Sequence, residues 1–210
     1  MTLTFEPLSH TYAWDGEIVP SVTRIIQPLN EYRHVPEGRL MAAADRGTAV
    51  HLACEHVDRD WDLPLDFSED HAGYVLAWGK FREDSGFIPD EIELRIYHPG
   101  ESYAGTIDRV GVLDGRKSIV DLKTSYRLGP AVGVQLAGYA LAYNHGRRPR
   151  EHATHRYAVR LDKAGNYEVR EYSDPLDHVA FIACLDLYRW AREAGKGDRI
   201  TEPLLQRHHH

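Results

Sequence analysis

The sequence predicts an α/β (α+β) domain: a central mixed β-sheet flanked by helices on both faces, with an N-terminal β-hairpin. Three observations predict it. Two apolar runs, 106–113 and 116–122, meet at Asp114-Gly115, and an Asp-Gly pair between such runs marks a tight hairpin, because both central positions of a type I′ turn need φ > 0. Helical periodicity both precedes and follows this hairpin. The resulting order (helices, three strands, a helix, a strand pair, a last helix) places a sheet between two helical layers.

Taken in order, residues 3–20 carry short strands. Residues 10–14 alternate in polarity, Asp15-Gly16 supplies a second tight turn, and Glu17-Ile18-Val19 returns. Ser21 is placed to cap a helix that opens at Pro20-Ser21-Val22-Thr23 and ends at Pro28. Residues 36–59 read as a long helix with an apolar stripe of Ala43, Val50, Ala53, Cys54 and Val57. His51 stands at the edge of that stripe and Glu55 follows one turn on. Gly47, one turn before His51, is expected to admit another backbone. A second amphipathic helix, 68–85, turns Tyr74, Ala77, Trp78 and Phe81 to a core. A strand over 91–97 and a loop at Pro99-Gly100 lead into the hairpin. Gly129-Pro130 starts a helix that runs to Asn144 and is stopped by Gly146 and Pro149. Residues 154–161 and 166–172 form a strand pair, and Asp174-Pro175 caps a final helix through Ala194, with Ala180, Phe181, Cys184, Leu185 and Tyr188 on its apolar face. Residues 1–207 are read as one domain: hairpin and helix in 1–30, core in 36–172, closing helix in 174–196. The histidines at 208–210 read as the remnant of a purification tag.

With 210 residues, of which 42% are hydrophobic, the chain can fill a core of its own. No apolar run reaches the roughly 20 residues that span a bilayer, and no signal-peptide pattern opens the chain, so the expected location is the cytoplasm. Cys54 and Cys184 are the two cysteines, both in apolar helical patterns. They are expected to be buried thiols and cannot supply the four ligands of an iron–sulfur cluster or zinc ribbon. No phosphate-binding Gly-x-x-x-x-Gly-Lys-Ser/Thr loop is present, so no nucleotide cofactor is expected. A net charge of −7 speaks against a passive nucleic-acid coat, but not against an enzyme that concentrates acids at a metal and keeps a local basic strip for phosphate.

If the Asp114-Gly115 turn closes the hairpin, Leu113 pairs with Arg116, and counting back sets Asp108 opposite Asp121, with Lys123 on the face of Asp121. Facing carboxylates repel, and a bound cation is the obvious compensation. A solvated charged face is the alternative. It suits Arg109 and Lys117, but not Asp121, which lies in the mostly apolar 118–122. Asp108, Asp121 and the Leu122 backbone carbonyl could then supply oxygen ligands to one or two divalent ions, and Lys123 could orient water or stabilise charge in a transition state.

Gly105-Thr106-Ile107-Asp108, followed by Asp121-Leu122-Lys123, resembles the signature of the PD-(D/E)XK nuclease superfamily, in its RecB-type and phage exonuclease branch. The resemblance implies a restriction-endonuclease-like fold and a magnesium- or manganese-dependent deoxyribonuclease without an iron–sulfur cluster. It identifies Gly47-Thr48-Ala49-Val50-His51 as the segment that brings a metal-ligating histidine. It implies Glu93 as the acid that helps hold metal or water, with Glu91 as its competitor. Gln135 and Tyr139, one turn apart on the helix after Lys123, resemble the motif that flanks the site. By this reading Asp108, Asp121, Lys123 and Glu93 are catalytic and His51, Asp108, Asp121 and Leu122 hold metal. Gln135, Tyr139, Arg127, Arg46 and Glu55 support the site or contact DNA. Tyr126 is a further candidate for stacking, and Arg24, Arg33, Arg39, Arg147, Arg148 and Arg150 complete the basic candidates.

The implied function is exonucleolytic attack on DNA ends, most naturally double-stranded, in phage or bacterial recombination, repair or replication. A single-strand annealing protein or a second copy of the chain are the candidate partners. A structure-specific or restriction-like endonuclease is one alternative; a catalytically silent binding module is another. A zinc hydrolase is set aside: His51 and His56 stand five residues apart on a helix, too far round to share one ion.

Overall fold

The computed structural model describes residues 1–7, 9–29 and 35–197; Arg33 and the histidines at 208–210 lie outside the described residues. Three short strands come first: β1 (Leu3–Glu6), β2 (Thr11–Trp14) and β3 (Glu17–Val19) form an antiparallel sheet in that order. Asp15 and Gly16 both take positive φ at its second turn. A short helix α1 (Val22–Ile25) follows, with the Ser21 hydroxyl accepting the Arg24 N–H. Pro28 lies inside a 3-10 turn, Gln27–Leu29, rather than at a helix end, since proline needs no N–H in a first turn.

The long helix α2 (Glu37–Asp58) and α3 (Ala72–Ser85) come next, α3 preceded by a 3-10 turn, Glu69–His71. Then come β4 (Ile88–His98), β5 (Tyr103–Leu113), β6 (Arg116–Lys123), α4 (Pro130–Asn144), β7 (His155–Leu161), β8 (Tyr167–Glu171) and α5 (Leu176–Gly197). β4 is longer at both ends than the expected 91–97.

The five main strands form one sheet in the order β4-β5-β6-β7-β8, with β6 and β7 parallel and every other pair antiparallel. The parallel step needs a crossover, and α4 provides it. One core joins α1, α4 and α5 to Ile96, Tyr103, Ile107, Ile119 and Ala158; the other joins α2 and α3 to Val120, Leu122, Val159 and Leu161. The sheet is thus covered on both faces. Gly138 of α4 lets α5 approach: a Cβ there would stand 2.4 Å from the Phe181 ring. Cys54 and Cys184 are buried and free. No helix among the described residues is long and apolar enough to cross a membrane.

The central turn has φ of 50° at Asp114 and 74° at Gly115, and Leu113 pairs with Arg116. The β5–β6 ladder stops at Arg109 and Val120, one pair short of Asp108 and Asp121. On the other side, β4 and β5 pair Ile92 with Arg109 and Leu94 with Ile107 but pass over Glu93 and Asp108. Glu93 has φ of 51°, and the register has already shifted between Pro89 and Glu91. A left-handed backbone at a non-glycine residue costs about 1–3 kcal/mol and gathers at functional sites. Asp108 therefore sits where both of its neighbouring strands leave it unpaired.

Candidate metal centre

Freed from both ladders, Asp108 uses its side chain. Its Oδ2 accepts the Leu122 N–H at 2.7 Å, which fixes the carboxylate between β5 and β6 and leaves Oδ1 to face α2. His51 comes from α2, with Nδ1 3.5 Å from Asp108 Oδ1 and Nε2 3.0 Å from the Leu122 carbonyl. A carbonyl only accepts, so Nε2 carries the hydrogen and Nδ1 is the nitrogen turned toward the acids. A histidine held by a backbone carbonyl through one nitrogen, with the other free for an ion, is the usual arrangement of metal-ligating imidazoles. The Leu122 carbonyl, expected as a ligand, is engaged in orienting His51.

Ligand atoms of His51, Glu93 and Asp108 lie within 4.8 Å of one another. Asp121 is 2% exposed and falls outside that trio: its Oδ2 lies 2.7 Å from Lys123 Nζ as an ion pair. Lys123 Nζ also donates to Gln135 Oε1 at 3.0 Å, and Gln135 Nε2 donates to the Tyr139 hydroxyl at 3.1 Å. Gln135 and Tyr139 are buried; they form a chain that steadies Lys123. The Tyr139 ring lies against Gly105, where a Cβ would stand 2.8 Å from it.

Glu93, and not Glu91, completes the trio. Glu91 accepts the Tyr143 hydroxyl at 2.9 Å. Glu93 Oε1 accepts from Arg109 Nη1 at 2.9 Å, and Arg109 is fully buried. This overturns the reading of Arg109 as a solvated surface charge. The guanidinium is locked by Asp58 Oδ2 through Nε and by the Asp108 carbonyl at 2.6 Å, and Asp58 also takes Trp78 Nε1 and Arg82 Nη1, each at 2.9 Å. A buried charged network therefore runs from α3 through α2 and β5 to the cavity. Strand periodicity gives no sign of it, because Asp58 and Arg109 are 51 residues apart.

Packing several acids together sets their proton affinities against one another. Burial and the charge of Asp108 push Glu93 up to about 7, against the pull of His51 and Arg109. Burial raises Asp121 to about 6; Lys123 works against that and Asp108 adds to it. Asp108 is held down to about 2: burial opposes its charge, but His51, Lys123 and the Leu122 N–H outweigh it. His51 is raised to about 9, since Asp108 and Glu93 overcome the effect of burial.

All of these side chains open on one cavity of about 910 Å3, whose lining includes His51, Glu55, Glu93, Asp108, Asp121, Lys123, Gln135 and Tyr139. Glu55 is paired with Arg59 at 2.8 Å. Arg46 and Arg127 do not line it: Arg46 reaches the Thr124 carbonyl at 3.5 Å, and Arg127 is on the exposed loop after β6. Tyr126 is 95% exposed on the same loop. Arg147 and Arg148 are engaged by Tyr143 and Glu151. A Cβ at Gly47 would meet only Thr124 Oγ1, at 3.8 Å, so no close backbone approach depends on this glycine. His56 points to the Asp62 carbonyl. The N-terminal sheet, to which the sequence assigns no role, supplies Phe5, Pro7, His10 and Tyr12 to the cavity wall.

No family model matches the chain, and no curated protein matches it. Among solved structures, an alkaline exonuclease (LHK-Exo) from Laribacter hongkongensis is similar at 15% identity and a TM-score of 0.41, covering 84% of this chain and 93% of that one. A structure of LHK-Exo in complex with dAMP is similar at 16% identity and a TM-score of 0.40, covering 85% of this chain and 94% of that one.

Proposed function

We propose that this chain is a divalent-metal-dependent deoxyribonuclease of the PD-(D/E)XK type, acting as an exonuclease on DNA ends. The observation that carries the reading is the convergence of His51, Glu93 and Asp108 within 4.8 Å in a cavity that also holds the Asp121–Lys123 pair. The donor set fits magnesium or manganese: carboxylate oxygens suit both ions, and an imidazole nitrogen suits manganese. His51, Glu93 and Asp108 would hold the ion, with Asp121 outside that trio and paired with Lys123.

When bound, such an ion makes hydroxide available near neutral pH and neutralises charge that builds on the phosphate. The chain's own groups do the positioning. The Leu122 N–H and carbonyl fix Asp108 and His51, and Arg109 holds Glu93. Lys123 is steadied by Gln135 and Asp121, and its ammonium would act on the attacking water and the phosphate oxygens. The attacking water gives up a proton as its oxygen forms a P–O bond, the P–O bond to the leaving strand breaks, and the departing oxygen takes up a proton.

Linear and closed circular DNA, incubated with magnesium or manganese, test this reading against Asp108→Asn and Asp121→Asn. The parent is expected to degrade the linear form and leave the circle, and both variants to be inactive. Cutting of the circle would favour the endonuclease reading. A parent inert on both forms would favour a silent binding module. Unchanged activity in Asp121→Asn would reject the site.

A further inference from the structure

The cavity lining has two unlike parts. One holds the acids, His51 and Lys123. The other is built by the N-terminal sheet and β4: Phe5, His10, Tyr12 and Arg95. The three rings touch one another, with centroids 4.7 Å apart for Phe5 and Tyr12, 5.1 Å for Phe5 and His10, and 5.9 Å for His10 and Tyr12. The Arg95 guanidinium lies over the Phe5 ring at 5.1 Å. If this trio served only as the core of a small sheet, it would be covered. Tyr12 is buried, but Phe5 is only half-buried, and His10 and Arg95 are exposed.

The wall is fixed relative to the acids. The hydroxyls of Tyr12 and Thr106 are 2.7 Å apart, and Thr106 is two residues from Asp108. The chain leaving the sheet is bridged to β5 by Ser21 and Ala104, with the Ala104 N–H on the Pro20 carbonyl at 2.9 Å. On the far side Trp14 stacks on Tyr97 at 4.1 Å.

The cations lining the cavity are not equivalent. Lys123 is held by Asp121 and Gln135, and Arg59 by Glu55 and the Ile92 carbonyl. Arg95 makes no ion pair with a described residue; its contact is the face of Phe5. An exposed guanidinium laid on an aromatic ring, beside more exposed ring surface and in the same cavity as an acidic cluster, has the chemistry of a nucleotide grip: planar surface for a base and a forked cation for phosphate.

We propose that this wall binds the terminal nucleotides of an unpaired DNA strand, a base stacking against Phe5 and His10 while Arg95 pairs with a backbone phosphate. The choice of DNA as ligand rests on the nuclease reading. It adds a substrate class: the strand enters single, so a duplex is taken only where its end has opened. The cavity volume, about 910 Å3, is that of a ligand site, within the roughly 300–1,000 Å3 such sites occupy.

Fluorescence anisotropy with a labelled oligonucleotide in calcium tests the wall without requiring cleavage. The parent is expected to bind an unpaired end more tightly than a blunt hairpin, and to bind more weakly when the terminal residue is abasic. Phe5→Ala should weaken binding about 5- to 150-fold, the factor that corresponds to ~1–3 kcal/mol per stacked base. Arg95→Gln should lower the slope of log affinity against log salt by about 0.7, the single-strand value for one lost phosphate contact. The abasic ligand needs no substitution, and Arg95→Gln leaves the ring trio in place, so unfolding of Phe5→Ala cannot hide the answer. Equal affinity for unpaired and blunt ends, no effect of the abasic residue, or an unchanged salt slope in Arg95→Gln would each overturn the proposal. A parent that binds as expected but cuts nothing would sink the nuclease reading and leave the wall standing.

Discussion

Replacing Arg109 with methionine probes the network beneath the cavity. The side chain is wholly buried and so is that of Asp58. Removing the guanidinium leaves Asp58 with Trp78 and Arg82, deprives Glu93 of its donor and frees the Asp108 carbonyl. Taking one partner from a buried pair costs about 3–5 kcal/mol, because the remaining charge stays desolvated. Asp58 keeps two donors, which puts the expected loss near the lower figure, about 3 kcal/mol. Against a total of roughly 5–15 kcal/mol for a folded domain, the variant folds but is visibly weakened. Urea denaturation measures this as a lower midpoint at unchanged slope. Two companions sharpen the result. Arg109→Lys keeps the charge but cannot fork between Asp58 and Glu93, so it should fall between parent and Arg109→Met. Asp58→Leu combined with Arg109→Met removes both charges and should recover part of the loss. Manganese affinity should drop about 10- to 100-fold with Arg109→Met as Glu93 loses its anchor. A loss under about 1 kcal/mol in Arg109→Met, the worth of an exposed pair, would refute the argument that this network is desolvated and holds the sheet.

Three further outcomes follow from the geometry. Lys123→Met should cut DNA about 10²- to 10³-fold more slowly, the effect of losing one donor to developing charge, with manganese binding retained by calorimetry; parental rates would remove Lys123 from the chemistry. Magnesium binding at pH 7 should release protons, because His51 titrates near 9 and Glu93 near 7 in the metal-free protein and a ligand must shed its proton. Affinity should therefore rise from pH 6 to 9, and calorimetry in two buffers of different ionisation heat would contradict this if no proton were released. Gly138→Ala should lower stability by about 1–3 kcal/mol by forcing α4 and α5 apart at Phe181; a melting temperature equal to the parent's would show that the ring yields.

Much of the fold was legible because its signals are local. Asp114-Gly115 fixes the turn, the turn fixes the register of β5 and β6, and the register puts Asp108 near Asp121. His51 was singled out by the resemblance carried by Gly47-Thr48-Ala49-Val50-His51, not by its helix position, and Ser21 was legible as a cap. What escaped depended on backbone events or distant partners. Glu91 and Glu93 alternate onto the same face of an ideal strand, and the choice between them is made by the shift at Pro89 and the positive φ of Glu93. Arg109 looks like any charge on a hairpin until Asp58 arrives from the end of α2. Pairing of Asp121 with Lys123, which separates it from the His51, Glu93 and Asp108 trio, depends on where β5 and β6 part.

The Asp108 carboxylate stitches one strand to the next by taking a main-chain hydrogen bond from Leu122. That stitch needs no ion. Its consequence is that the gap between the strands is propped ahead of time, so an arriving cation meets a seat whose width is already set. Asp108→Asn can keep the prop, since an amide oxygen still accepts, whereas Asp108→Ala would remove it and let the seam close. Loss of function in the alanine variant would then mix two failures, and the asparagine variant isolates the charge alone.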